Sequence, residues 1–99
     1  MRSLLDLADA QFIGSKIANM SRRHHYLKTE TEYYQAVERG EKKFELRNND
    51  RNFQKYDIIY LEEVVNGVKT GRSLPPMEIQ YVLKGGKYGL SEGFCIINW

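Results

Sequence analysis

The spacing of apolar residues changes period along this chain, and each change marks a change of element. From Ser3 to Phe12, Leu4, Leu5, Ala8 and Phe12 fall on one side of a helix, with Gly14 as its stop. This predicts a short N-terminal helical extension within residues 1–20, read as a packing or dimerisation arm or as an accessory segment without chemistry. His25-Tyr26-Leu27-Lys28 is extended in character. Thr29 then reads as a helix N-cap, with Glu32 three residues on completing a capping box. Tyr33 or Tyr34 together with Val37 forms a buried stripe, and Gly40 ends a helix over 30–39.

After Gly40 the period becomes two. Phe44 and Leu46 alternate with Lys43, Glu45 and Arg47, which predicts a half-buried strand with its apolar side chains inward and its charged ones outward. Asn48-Asn49-Asp50 is turn chemistry, because short amide and carboxylate side chains bond their own backbone. A second strand, Ile58 to Glu63, leads to Asn66-Gly67, a strong hairpin signal, and returns over Lys69 to Leu74. Pro75-Pro76 interrupt the pairing; Met77, Ile79, Tyr81 and Leu83 begin a new alternation. A loop containing Gly85, Gly86, Gly89 and Gly93 precedes a last strand from Phe94 to Trp99. Five or six short strands with one packed helix predict an α+β domain over residues 21–99, a small, partly closed β-barrel, since closure removes exposed strand edges.

A length of 99 residues excludes a two-domain enzyme, and 41% hydrophobic with 28% charged residues fits a folded, soluble chain. Cys95 is the only cysteine, which rules out a disulfide framework and a cysteine-rich zinc site and favours a cytoplasmic setting. It reads as a small core residue rather than a nucleophile. Asp6 and Asp9 interrupt the apolar residues of the head, so neither a signal peptide nor a membrane span is predicted. Adjacent His24 and His25 point to opposite faces of an extended segment and cannot chelate together, so no metal is expected. The glycine-rich loop lacks the Gly-Lys-Ser/Thr of a phosphate-binding loop, and no cofactor is expected.

Net charge is only +2, but residues 39–55 carry six basic and three acidic side chains, so the positive excess lies in one strand and its turn. Lys43, Glu45 and Arg47 share a face; Lys42 is out of phase by one and joins them only if the turn after Gly40 or a bulge re-aims it. The functional reading is a phosphate-contacting patch in which Lys42 and Arg47 hold a nucleic-acid backbone and nearby tyrosines stack on bases. The plainer reading is a solvated polar face. Tyr26 and Tyr88 are the stacking candidates, because polar or glycine-rich sequence surrounds them, while Tyr60 and Tyr81 read as core. Glu62 and Glu63 are candidates to bring a carboxylate to the cleft, with solvation at a strand end as the plainer reading.

Gly40-Glu41-Lys42-Lys43-Phe44-Glu45-Leu46-Arg47 resembles the G-x-K-x-x-E-x-R signature of the ASCH (activating signal cointegrator homology) domains of the PUA-like superfamily. His25 to Thr29, Asn49 to Phe53, Thr70-Gly71-Arg72, Tyr81-Val82 and Gly89-Leu90 extend the resemblance, to an ASCH-related family of bacterial and phage proteins, over about residues 24–98. It implies a PUA-like barrel with a cleft beside the signature strand, of a kind proposed to bind RNA. The nucleic-acid-binding set becomes Lys42, Lys43, Glu45, Arg47, Arg51, Lys28, Tyr26 and Tyr88, with RNA, a nucleotide or a modified base as partner. Some ASCH-like proteins are amidohydrolases of acylated cytidine that use a Lys, a Thr and a Glu. Lys42 matches that lysine, but Glu45 stands where the threonine belongs, so an enzymatic alternative would rest on Lys42 and Glu45 alone. A phage- or host-protein interaction module is the third reading. Tyr56-Asp57 departs from the family's Gly-Asp, and Pro75-Pro76 intrude before the strand that starts at Met77.

Overall fold

The computed structural model describes residues 22–99; the extension expected within 1–20 lies outside them. The described chain runs β1 (His24–Glu30), α1 (Thr31–Glu38), β2 (Phe44–Asn48), β3 (Ile58–Val65), β4 (Val68–Ser73), β5 (Met77–Glu78), β6 (Tyr81–Lys84) and β7 (Phe94–Asn98). Two sheets form. In the first, β3 pairs in parallel with β1 and antiparallel with β4 and then β5. The second is antiparallel in the order β2-β7-β6.

Local chemistry explains most of these boundaries. Asn66 and Gly67 both take positive φ, 50° and 80°, as the tight β3–β4 hairpin requires. Helix α1 buries Tyr34 and Val37 and leaves Tyr33 outside. It ends in a Schellman motif: Gly40 N–H donates to the Val37 carbonyl and Glu41 N–H to that of Ala36, both at 2.9 Å, with Gly40 at φ 79°. Its start differs from the expected capping box. Thr29 remains in β1, and its hydroxyl donates to the Leu27 carbonyl at 3.2 Å, so Glu30 precedes the helix without a side-chain cap.

Leu27, Tyr34, Phe53, Ile59, Leu61, Ile79, Cys95 and Ile97 fill the space between the sheets. Each such side chain contributes on the order of 1.5–3 kcal/mol through burial. Burial also pushes the Cys95 thiol pKa up, as fits an inert core residue. The alternation from Met77 to Leu83 is two strands rather than one. After Ile79, whose N–H bonds the Asp57 carbonyl, Gln80 N–H turns to the Asn98 carbonyl, carrying the chain from the first sheet into the second. The change of sheet turns Tyr81 outward, and Tyr60 lies on the outer face of β3, so neither serves the core as expected.

Strand β2 presents the largest correction. Phe44 and Leu46 are 47% and 55% exposed, whereas Glu45 is 5% exposed and faces inward. The expected alternation is present with its two faces exchanged. Cross-strand partners continue the pattern: Phe44 opposes Asn98 and then Tyr81, Leu46 opposes Ile96 and then Leu83, and Asn48 opposes Phe94. The outer face of this sheet thus has no charged side chain at these positions.

Closure is partial. Among the described residues, β1 pairs only with β3 and β2 only with β7, so each keeps a free edge, and side chains rather than a backbone ladder bridge the seam between them. The described residues therefore form a small α+β structure of two sheets rather than a closed barrel, with seven strands if two-residue β5 is counted.

Tyr56, where the resemblance leads one to expect glycine, has φ 78° and places its N–H 2.7 Å from the Ile79 carbonyl. A left-handed backbone costs a bulky residue about 1–2 kcal/mol, and glycine returns roughly half of that as unfolded-state entropy. Tyr56→Gly is expected to stabilise the fold by up to about 1 kcal/mol in urea denaturation. A net loss instead would show that the Lys55 ammonium, 5.0 Å from the Tyr56 ring centre, supplies more than the strain removes.

Candidate functional site

The Schellman turn aims Lys42. Its backbone N–H shares the Ala36 carbonyl at 3.1 Å, which swings the side chain out of the strand alternation and over the start of β2. The ammonium there donates to the Phe44 carbonyl at 2.6 Å and pairs with Glu45 Oε1. Arg47, two residues along β2, grips the other oxygen of the same carboxylate, with Nε at 3.1 Å and Nη2 at 2.9 Å from Oε2. Glu45 thus sits between two cations. Its side chain is 7% exposed, against 16% for Lys42 and 24% for Arg47. Each charge is partnered, as burial of ionic groups demands.

Arg47 also spans the seam. Its Nη2 reaches the Lys28 carbonyl at 2.8 Å and Thr29 Oγ1 at 3.3 Å. One step further along β1, Arg51 Nη1 donates to the Tyr26 carbonyl at 2.9 Å. Arg23, just before β1, holds the loop that carries Arg51 by donating to the carbonyls of Arg51 and Asn52. At Tyr26 and Lys28 the guanidinium groups of Arg51 and Arg47 take the place that a neighbouring strand's N–H groups would fill. They protect the edge and line it with positive charge.

At the α1 end of the seam, Tyr33, Lys42, Phe44, Glu45 and Leu46 line an open pocket of about 400 Å³, within the range of roughly 300–1,000 Å³ usual for small-ligand sites. The Lys42 ammonium lies 4.9 Å from the Phe44 ring centre and 5.7 Å from that of Tyr33. Two aromatic faces, one ammonium and one carboxylate therefore meet in one recess. Beyond Lys42 lies a second, mainly apolar pocket of about 440 Å³, with Val37, Leu74, Met77 and Trp99 in its wall.

The eight candidate residues separate. Lys42, Glu45 and Arg47 converge. Arg51 joins them along the seam, and Lys28 does so through its carbonyl while its side chain projects from the outer face of β1. Lys43 faces the apolar pocket instead. Tyr26 stands on the outer face of β1, stacked on Tyr60. Tyr88 does not join the cluster. It is 86% exposed in the β6–β7 loop, which opposes the Asn48 end of β2, while Lys42 lies beyond the Phe44 end. The lengths of the strands keep the two apart. The loop itself needs Gly85, because a Cβ there would lie 1.9 Å from the Ser91 carbonyl oxygen.

Tyr33, Phe44 and Leu46 escaped the sequence reading; the available signal was Tyr33 beside a tyrosine that had to be buried. Glu63 also differs from expectation. It is 4% exposed next to a register shift in β3–β4 and accepts from the hydroxyls of Thr31 at 2.6 Å and Thr70 at 2.8 Å, with Arg72 at 3.5 Å. Those two hydroxyl bonds, aided by Arg72, outweigh burial and hold its carboxyl below the usual range. His24 and His25 do face opposite ways: His25 is buried with Nε2 2.8 Å from Asp57 Oδ2, and His24 Nδ1 lies 2.8 Å from the Tyr60 hydroxyl.

A family model described as a domain of unknown function (DUF3850) matches residues 24–99. An uncharacterized 12.9 kDa protein in the GpA 3′ region of Escherichia phage P2 is 38% identical over 55 residues, which are 56% of this chain and 50% of that protein. The matched part thus spans about half the length of this curated relative.

Proposed function

The chain belongs to the family described as a domain of unknown function (DUF3850), and from that premise we propose that it is a small RNA- or nucleotide-binding module that takes a base into the pocket at the end of the β1–β2 seam. The observation that carries this reading is the convergence of Lys42, Glu45 and Arg47 on a recess with aromatic walls. Lys42 has three N–H donors and uses two, on Glu45 and the Phe44 carbonyl, leaving one for an acceptor on a bound ring. Glu45 retains lone pairs for an exocyclic amino group. Tyr33 and Phe44, both half-exposed, have Lys42 over one face and offer the other to a base, a contact that every base can make. The arginines of the seam keep unused N–H groups for phosphates. The resemblance to ASCH domains, themselves proposed to bind RNA, supports the same reading.

The amidohydrolase alternative draws less support. Catalysis there needs a hydroxyl beside the lysine, and the Lys42 partners are a carboxylate and a carbonyl.

The test measures binding of the four nucleoside monophosphates and of a random-sequence RNA hexamer at low salt. Lys42→Ala is expected to weaken both by about tenfold or more, as a lost charged hydrogen bond would. Arg51→Ala should flatten the salt dependence of hexamer binding by about 0.7 in log–log slope, one phosphate contact. Wild-type protein that binds neither ligand would sink the proposal.

A further inference from the structure

The outer face of β1 carries an aromatic stack that the pocket does not use. Tyr26 and Tyr60 oppose each other in the parallel register, their ring centres 4.4 Å apart and their planes within 9°. Tyr60 is held in turn by His24, which stacks on it at 5.7 Å and places Nδ1 2.8 Å from its hydroxyl. Because Tyr60 sits on the β3 side, it covers one face of the Tyr26 ring and turns the other toward the free edge of β1. Tyr26 is 55% exposed, and among the described residues no other ring and no cation lies over it. Its own carbonyl carries the Arg51 guanidinium, and the Lys28 carbonyl two residues on carries Arg47. At roughly 3.3 Å per residue the two arginines contact β1 about 7 Å apart.

From this arrangement we propose that the ligand is single-stranded RNA rather than a free nucleotide, laid along the seam with one base in the Lys42–Glu45 pocket and a neighbouring base stacked on the seam-side face of Tyr26. The proposal rests on the nucleotide-binding reading of the pocket and adds a second station to it. Arg47, which bonds both Glu45 and the Lys28 carbonyl, lies between the stations and Arg51 lies at the Tyr26 end, and the connecting phosphates pass along them. Lys28 projects from the same outer face as Tyr26 and adds a further cation. Stacking at two stations requires bases that are not paired in a helix, because a duplex keeps its base faces covered by neighbouring bases and offers only phosphates, 2′-hydroxyls and base edges. Tyr60 and His24 fix the Tyr26 ring before the ligand arrives, so little side-chain freedom is lost on binding.

The experiment compares wild type, Tyr26→Ala, Tyr26→Leu, Tyr26→Phe and Lys42→Ala against the random-sequence RNA hexamer, a blunt RNA duplex of random sequence, and the four nucleoside monophosphates. Loss of one stacking contact predicts hexamer binding weaker by about 5- to 100-fold in Tyr26→Ala. Monophosphate affinity should stay unchanged in that variant, and Tyr26→Phe should bind like wild type. Tyr26→Leu keeps apolar cover over Tyr60 while removing the π face, so it serves if the alanine variant folds poorly, and it should show the same selective loss. Duplex should bind more weakly than the single strand. Unchanged hexamer affinity in both Tyr26→Ala and Tyr26→Leu, with Lys42→Ala still weakening hexamer and monophosphates, would overturn the second station and leave the pocket reading intact. Equal affinity for duplex and single strand would also overturn it. Absence of binding by wild type to every probe removes the pocket reading itself.

Discussion

Glu45→Ala is expected to lower the unfolding free energy by about 3 kcal/mol, the low end of what removing one partner from a buried ion cluster costs. Glu45 neutralises Lys42 and Arg47 at once, and without it both cations remain close together with most of their surface withdrawn from water. The low end applies because each keeps some solvent access, so water can move in. Arg47 has a further hold, through the Lys28 carbonyl and Thr29, that the substitution leaves in place. Glu45→Gln preserves shape and one acceptor and should cost less. The measurement is urea denaturation of the three proteins at neutral pH. A loss under about 1 kcal/mol for Glu45→Ala would show that the cluster behaves as an exposed ion pair, which would weaken the case for a preorganised pocket as well as the stability argument.

Asp57→Ala should cost a comparable amount, about 3–4 kcal/mol, by a different route. The carboxylate is 2% exposed and collects the N–H of Arg23 at 3.1 Å, the N–H of Gln54 at 3.1 Å and His25 Nε2 at 2.8 Å. Three donors lose their acceptor together, at roughly 1–3 kcal/mol for each one left buried and unpaired. The consequence reaches the seam, because this carboxylate ties the start of β1 to the loop that carries Arg51 and Phe53. Phe53 packs edge-on against His25, with ring centres 4.7 Å apart. Asp57→Asn keeps an acceptor but turns an amide toward one donor, so its loss should be intermediate. Thermal and urea unfolding of both variants test this. Near-wild-type stability of Asp57→Ala would mean that water replaces the carboxylate, and the loop would then not depend on it.

The elements that follow from local chemistry were readable in advance. Asn66-Gly67 specifies its hairpin because both positions need positive φ, and Gly40 ends α1 because the residue after the cap must be left-handed. Cys95 read correctly as core in an apolar strand. The condition attached to Lys42 was also sound: the turn after Gly40 does re-aim it toward Glu45. Seam and pocket were not readable, since each joins residues far apart in the chain. Arg47 meets Lys28 across 19 positions, and Arg51 meets Tyr26 across 25.

The uneven charge, an excess of +3 over residues 39–55 within a net +2, marks the strand that carries the buried carboxylate without revealing which way that strand faces. Period-two alternation establishes that Glu45 and Arg47 share one face of β2 and Phe44 and Leu46 the other, because the pleat puts alternate side chains on opposite sides. It does not establish which face is inner. Hydrophobicity favours Phe44 and Leu46 inside, and the folded chain does the reverse. Lys42, brought in by the helix-ending turn, and Arg47, reaching across to β1, together supply the partners that make burial of a carboxylate tolerable. Local pattern thus assigned the residues to strands and faces, while the partners that reach Glu45 from the helix-ending turn and from the Arg47 bridge to β1 determined which face of β2 is the inner one.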